Sequence, residues 1–192
     1  MTQSPVDLAP REFNGPTERI QKGLLIIYTG NGKGKSTAAF GAVFRSLGRN
    51  FKVAVVQFIK GEWISGEIKA LEKFGAQVSY FSEGEGFTWD TKDLARDIAC
   101  AKRGWNRCVE LLKEGKNNIF LFDEIIYVLK YKFLTLEEVI GGLKYKAPSA
   151  HVILTGRDAP QELIDMADLV TEMREIKHPY NKGITAQAGI DY

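Results

Sequence analysis

After Lys22 the chain alternates short, β-branched apolar runs with longer amphipathic segments, and that alternation limits the fold more than any other feature. Strands are expected over Leu24–Tyr28, Val53–Phe58, Val78–Phe81, Ile119–Phe122, Val152–Thr155 and Leu169–Met173, where apolar residues follow one another almost without interruption. Helices are expected over Ser36–Leu47, Ser65–Phe74, Thr91–Lys113, Thr135–Lys144 and Pro160–Met166. Strands that are apolar on both sides must be covered on both faces, so this order of elements predicts a mostly parallel central sheet flanked by helices on both faces. Ligands of such sheets bind beyond the carboxyl ends of the strands. Four stretches fall there: "TGNGKGKS" after the first strand, "QFIKGEW" after the second, "DE" after the fourth and "TGRD" after the fifth.

The first of these has the make-up of a phosphate loop. Glycines at 30, 32 and 34 let successive backbone N–H groups converge on an anion, and the helix that follows presents its positive end to the same point. Lys35 can neutralise phosphate charge, and the Ser36 hydroxyl is placed to ligate a divalent cation. Gly30, Asn31, Gly32, Lys33, Gly34, Lys35, Ser36 and Thr37 are therefore the candidate nucleotide-binding residues. The usual pattern, G-x-x-x-x-G-K-[ST], would put a glycine at position 29, where this chain has Thr29. The nearest glycine is Gly30, so the loop is one residue shorter than usual between its outer glycines. The expected fold is α/β, a single P-loop NTPase-like (RecA-like) domain over residues 23–192. Residues 1–22 form a proline-containing N-terminal arm, flexible or lid-forming, because Pro5, Pro10 and Pro16 prevent a long helix.

"NIFLFDE" supplies the partner such a loop requires. Its apolar run ends in Asp123 and Glu124, whose oxygens reach the sheet edge and can hold a metal ion with Ser36, directly or through water. Oxygen ligands serve Mg²⁺ and Mn²⁺ alike. Arg157 in "ILTGRD" is a candidate to grip phosphate oxygens with two donors, and it equally suits a surface pair with Asp158.

A phosphate loop by itself leaves the chemistry open. The near misses to a guanine-reading N/T-K-x-D motif, "TKDL" at 91 and "NKGI" at 181, lack the Asp. With a net charge of +2, the chain has no electrostatic surplus to attract nucleic acid. Cys100 and Cys108 fall in one expected helix, about 12 Å apart along its axis, too far for a disulfide, and read as reduced residues. No stretch reaches the ~18 apolar residues of a membrane span, and the N-terminus lacks the apolar core of a secretory signal. A cytoplasmic protein is expected. ATPase, small-molecule kinase and non-catalytic nucleotide-binding functions all remain open at this point.

"EGEGFTWD" at 83–90 is the distinctive remainder. Its glycines and acids bracket Phe87 and Trp89 outside any strand pattern. These aromatics suit either a core tucked beneath the loop or a flat apolar surface for a large flat ligand. Taken with "TGNGKGKSTAAFG", "VVQFIKG", "DEIIY", "LEEVI", "TGR", "ADLVTEMREIKH" and the closing "QAGIDY", the stretch resembles the ATP:corrinoid adenosyltransferases. The resemblance runs from about Gly23 to the C-terminus.

It implies transfer of the 5′-deoxyadenosyl group of ATP to the Co(I) centre of a reduced corrinoid, with triphosphate released. It further implies Mg²⁺ or Mn²⁺, ATP as co-substrate, a corrinoid substrate, an electron donor such as a flavin or flavoprotein, and a homodimer. By this resemblance Lys35, Phe87 and Trp89 are catalytic, the aromatics displacing the lower axial base of the cobalt so that it is more easily reduced. The nucleotide is expected to lie in the loop in the reverse of the usual direction, for which a shorter loop offers a physical reason. His178 reads as structural or substrate-adjacent, since Co(I) attacks without a general base. Ser36 keeps the hydroxyl where the family often has threonine, and Ile126 stands where it often has a polar residue.

Overall fold

The computed structural model describes residues 20–59, 65–83 and 93–192. Its strands are β1 (Leu25–Thr29), β2 (Val53–Gln57), β3 (Val78–Ser82), β4 (Ile119–Asp123), β5 (His151–Thr155) and β6 (Leu169–Glu172). The helices are α1 (Lys35–Leu47), α2 (Gly66–Leu71), α3 (Leu94–Glu114), α4 (Ile125–Lys130), α5 (Leu136–Leu143) and α6 (Gln161–Met166). The strands form one sheet in the order β3-β2-β4-β5-β1-β6, and every pair is parallel. Six strands are expected from the sequence, and six are found among the described residues. Consecutive strands β1 and β2 lie on either side of β4 and β5. The carboxyl ends of β4 and β5 are thereby set between the loop leaving β1 and the loop leaving β2, where a site can form.

Each inner strand divides its side chains between two apolar layers, as the two-residue period of a strand requires. In β4, Ile119 and Leu121 join Phe40, Val43, Leu47, Ile68 and Leu71 on the α1–α2 face. Phe120 and Phe122 join the opposite layer, built on α3, α4, α5 and α6. Both rings are essentially fully buried, which contributes about 2–3 kcal/mol for each phenylalanine. Trp105 of α3 meets Phe122 edge-on at 5.9 Å and donates its indole N–H to the Glu138 carbonyl at 3.2 Å. A Cβ on Gly142 would fall 2.4 Å from the Trp105 ring, so α3 and α5 can close on each other only over a glycine.

The structure departs from the sequence expectations in a few places, each with a local cause. The expected helix over Ser65–Phe74 is α-helical only as far as Leu71. It continues as a 3-10 turn over Glu72–Gln77 that breaks at Gly75, where φ is 50°. Helix α4 was not expected, because "IIYVL" is as β-branched and apolar as a strand; burial of Ile125, Ile126, Val128 and Leu129 draws it into the core. The chain turns from β4 into α4 at Glu124, whose φ of 66° is unusual for a residue with a side chain. Gly156 explains the apolar residue at 126: a Cβ there would lie 2.7 Å from the Cβ of Ile126, so this face of α4 packs against the β5 loop. Cys100 and Cys108 are buried and not joined in a disulfide. The N-terminal arm lies outside the described residues up to position 19. No helix among the described residues is long and apolar enough to cross a membrane.

Candidate nucleotide and metal site

Thr29, Lys35, Gln57, Asp123 and Thr155 are the buried polar or charged side chains among the described residues. All of them lie at the carboxyl edge of the sheet or in the loop beside it: Thr29, Gln57, Asp123 and Thr155 end β1, β2, β4 and β5, and Lys35 opens α1. Buried polarity is costly unless it is paired or used, so its concentration here marks the site.

Asp123 is the centre of the pairing. Its Oδ1 accepts hydrogen bonds from Ser36 Oγ at 2.9 Å and from Thr155 Oγ1 at 2.7 Å, and its Oδ2 accepts one from Gln57 Nε2 at 2.9 Å. Thr155 Oγ1 in turn accepts from the Glu124 backbone N–H at 2.8 Å, which fixes the turn after β4. Ser36 and Asp123 are thus brought together as the sequence expected.

The shortened loop now has a structural explanation. Strand β1 extends through Thr29, which pairs in parallel register with Glu172 of β6, so the position of the usual first glycine still belongs to the sheet. The Thr29 hydroxyl accepts from the Ala159 N–H at 3.2 Å. Beyond it, Gly32 donates its N–H to the Met173 carbonyl at 2.7 Å. A Cβ on Gly30 would fall 2.5 Å from that same carbonyl oxygen. The loop is therefore held against the chain leaving β6, and one of its amides is already taken by protein. Gly34, with φ of 114°, turns the chain into α1.

Lys35 lies folded over this loop, donating to the carbonyls of Gly30 at 2.8 Å and Gly32 at 2.7 Å. Burial pulls its ammonium below the ordinary value; Glu124 opposes that pull, and Arg157 and Lys33 add to it. The neighbouring Lys33 is exposed and pairs with Asp191 of the C-terminal "GIDY". Asn31 and Thr37 are exposed on either side.

Among the described residues, Glu124 Oε2 and Arg157 Nε are buried without a hydrogen-bond partner. Burial, reinforced by Asp123 and only partly offset by Lys35 and Arg157, pushes the Glu124 carboxyl up to about 8. Asp158 pairs with Lys130 at 2.6 Å, which leaves Arg157 without the surface partner that the sequence allowed it. A divalent cation fits this set: an orphaned carboxylate oxygen, a serine hydroxyl and a carboxylate behind it, with remaining positions open to phosphate and water. An anionic ligand fits the arginine.

Phe87 and Trp89 lie outside the described residues. His178 caps a short 3-10 turn, its Nδ1 accepting from the Tyr180 N–H at 3.2 Å. Sequence reasoning placed Gln57 and Thr155 at the head of "QFIKGEW" and "TGRD", and Asp191 within "QAGIDY", without giving any of the three a role. For the first two a signal existed: a polar residue closing an apolar run at a strand's carboxyl end.

Comparison with known proteins matches residues 21–192 to the family ATP:corrinoid adenosyltransferase BtuR/CobO/CobP. A corrinoid adenosyltransferase of a Sinorhizobium species is 47% identical over 186 residues, covering 96% of this chain and 87% of that protein. One from Pseudomonas aeruginosa is 43% identical over 174 residues, covering 91% of this chain and 86% of that protein. Among solved structures, the flagellar accessory protein FlaH of Methanocaldococcus jannaschii superposes with a TM-score of 0.55 at 14% identity, over 80% of this chain and 72% of that one. That last likeness concerns the fold alone.

Proposed function

The chain belongs to the ATP:corrinoid adenosyltransferases, and from that membership we propose that it moves the 5′-deoxyadenosyl group of ATP onto the cobalt of a reduced corrinoid, cobalamin or cobinamide in type, releasing triphosphate. The step serves the making or salvage of adenosylcobalamin. The observation that carries this reading is the gathering of the buried polar side chains around a phosphate loop, in a chain whose relatives are corrinoid adenosyltransferases.

The reaction balances without a proton. Co(I) donates an electron pair to C5′ of the ribose, the C5′–O bond breaks, and its electrons leave with the triphosphate while the cobalt ends as Co(III). The protein must bind, orient and neutralise a large leaving anion. The N-terminus of α1 and Lys35 supply positive charge at the loop, Lys35 exchanging the carbonyls of Gly30 and Gly32 for phosphate oxygens. Arg157 supplies more from the end of β5. A bound Mg²⁺ or Mn²⁺ held by Ser36 and Glu124, with Asp123 behind them, would add cationic charge to the same anion. The site is poorly suited to activating water against a phosphate: Asp123 is occupied by hydrogen-bond donors, and Glu124 is taken up by the cation. That favours departure of an intact triphosphate over hydrolysis.

A homodimer and a flavin or flavoprotein electron donor belong to the same proposal. Edge strand β6, with Leu169 and Val170 exposed, supports a second subunit.

Incubating the protein with ATP, Mg²⁺ and chemically reduced cobalamin is expected to yield a light-sensitive cobalt–carbon product and intact triphosphate. ADP or inorganic phosphate as product would point instead to an ATPase or kinase, and ATP binding with no product to a carrier. Phe87 and Trp89 are assigned to the lower face of the corrin, where they displace the axial base and exclude water. Phe87→Ala and Trp89→Ala are each expected to slow adenosylation roughly tenfold or more, about 1.4 kcal/mol of barrier, when bound Co(II) must first be reduced. Supplying Co(I) chemically should restore most of the rate. Equal losses in the two assays would remove this assignment.

A further inference from the structure

We propose that Gln57 and Tyr80 are positioning residues that lock the Asp123 carboxylate in place and so couple ATP binding to the divalent cation. The inference rests on the nucleotide-binding part of the function proposed above.

Two of the three side-chain donors to Asp123, Ser36 and Thr155, share Oδ1. Among the described residues, rotation of the carboxylate about its Cβ–Cγ bond is therefore resisted at Oδ2 by Gln57 alone. Gln57 sits directly opposite Asp123 in the β2–β4 register, which fixes the distance between the two side chains through the sheet itself. Its amide is held from the other side as well: Tyr80, on β3, donates its hydroxyl to Gln57 Oε1 at 2.9 Å. That bond steadies the amide in the orientation that Asp123, an acceptor only, requires. A flipped amide would bring its oxygen against a carboxylate oxygen and its NH₂ against the Tyr80 hydroxyl. The chain of hydrogen bonds runs from β3 through β2 to β4 and then to Ser36 on α1, crossing the sheet to the hydroxyl that faces the cation. Gln57 is 9% exposed and closes the apolar strand β2.

The amide has a chemical advantage over any ionised residue. It donates to Asp123 without adding a third negative charge beside Asp123 and Glu124, or a positive charge that would compete with the metal. With Asp123 fixed, the Ser36 proton is committed to Oδ1 and the oxygen's lone pairs are left for a cation. If Oδ2 is released, the carboxylate can turn, Ser36 loses its fixed acceptor, and the cation loses a prepared ligand. Groups behind a metal ligand typically govern metal affinity by about 10–100-fold.

The test is the affinity of the full-length protein for ATP, measured by calorimetry once with excess Mg²⁺ and once with EDTA. The parent protein is expected to bind ATP more tightly with Mg²⁺. Gln57→Leu should shrink that Mg²⁺-dependent gain by about tenfold or more while leaving the EDTA value within about twofold. Tyr80→Phe, which removes only the hydroxyl holding the amide, should shrink it in the same direction by a smaller factor. Gln57→Glu keeps the side chain's shape and gives a folded alternative if the leucine variant unfolds; it presents an acceptor to Asp123 and should show the same collapse. A merely structural role would weaken both arms together, and that outcome overturns the proposal. So does an unchanged Mg²⁺-dependent gain in the Gln57 variants, or parent binding that ignores Mg²⁺. No corrinoid is present, so a failure to form adenosylcobalamin counts against the proposed transfer and not against this inference.

Discussion

Lys35→Ala is expected to slow adenosyl transfer by roughly a thousandfold, about 4 kcal/mol of barrier, without unfolding the protein. The Lys35 side chain is buried against its loop with its ammonium on two carbonyls. Burial is already working against its charge. Such a cation is poorly compensated in the free protein and gains most when phosphate charge accumulates beside it. Because negative charge on the triphosphate rises as the C5′–O bond breaks, the gain is larger in the transition state than in the bound ground state. The loss should therefore fall mainly on the turnover number, with a smaller rise in KM for ATP. Lys35→Arg is expected to rescue little, since a planar guanidinium cannot take the place of a compact ammonium between the carbonyls of Gly30 and Gly32. The two apolar layers that hold the sheet do not include Lys35, so the melting temperature should stay close to that of the parent. Single-turnover rates with chemically prepared Co(I) corrinoid give the measurement free of the reduction step. A loss smaller than tenfold would remove Lys35 from the chemistry.

The parts of this molecule that were legible in the sequence are those governed by short-range rules. Apolar runs that fill both faces of a strand, such as "VAVVQ" and "IFLFD", announced an interior parallel sheet because nothing else buries them. The glycines before Lys35 announced a loop whose backbone approaches another group closely, and two of them do, although the group they meet is the backbone at Met173 and Arg174. That contact is nonlocal, more than a hundred residues away, and no spacing in "TGNGKGKS" could reveal it. The same limit applies to Gln57: its role depends on β2 lying beside β4, a consequence of strand order and not of neighbouring residues. Helix α4 was missed for a different reason. Over six residues, "IIYVLK" satisfies strand and helix patterns equally, and tertiary burial decides between them. Thr29 shows the two kinds of information meeting. Its identity was visible as a missing glycine, but its cause, one more residue of sheet pairing with β6, needed the fold.

Glu124→Gln should separate the metal-binding use of this carboxylate from its effect on stability. In the parent protein without metal, the unfolded chain releases the Glu124 proton near the ordinary value of 4.5, whereas the folded chain holds it to about 8. Between those values the native state binds more protons than the unfolded state, so stability falls as pH rises. The contribution is fully present below about 4.5 and is gone above about 8. Glutamine cannot ionise, so the variant should lack this fall. The two proteins are expected to melt at similar temperatures near pH 4.5, with the variant more stable at pH 8 by roughly 2–5 kcal/mol. Thermal melts of metal-free protein across this range provide the check, and parallel pH profiles would rule the burial effect out. Catalysis should respond in the opposite sense. Glutamine retains the shape but offers a cation a neutral oxygen, so Mg²⁺-dependent transfer is expected to drop by about a hundredfold. In the parent, binding Mg²⁺ with ATP at pH 7 must displace the Glu124 proton. Calorimetry in buffers of different ionisation enthalpy should therefore detect proton release that Glu124→Gln abolishes. A carboxyl held neutral by burial and ionised by the cation it receives lowers stability at alkaline pH most when the site is empty, and the penalty is lifted as the metal and the triphosphate arrive together.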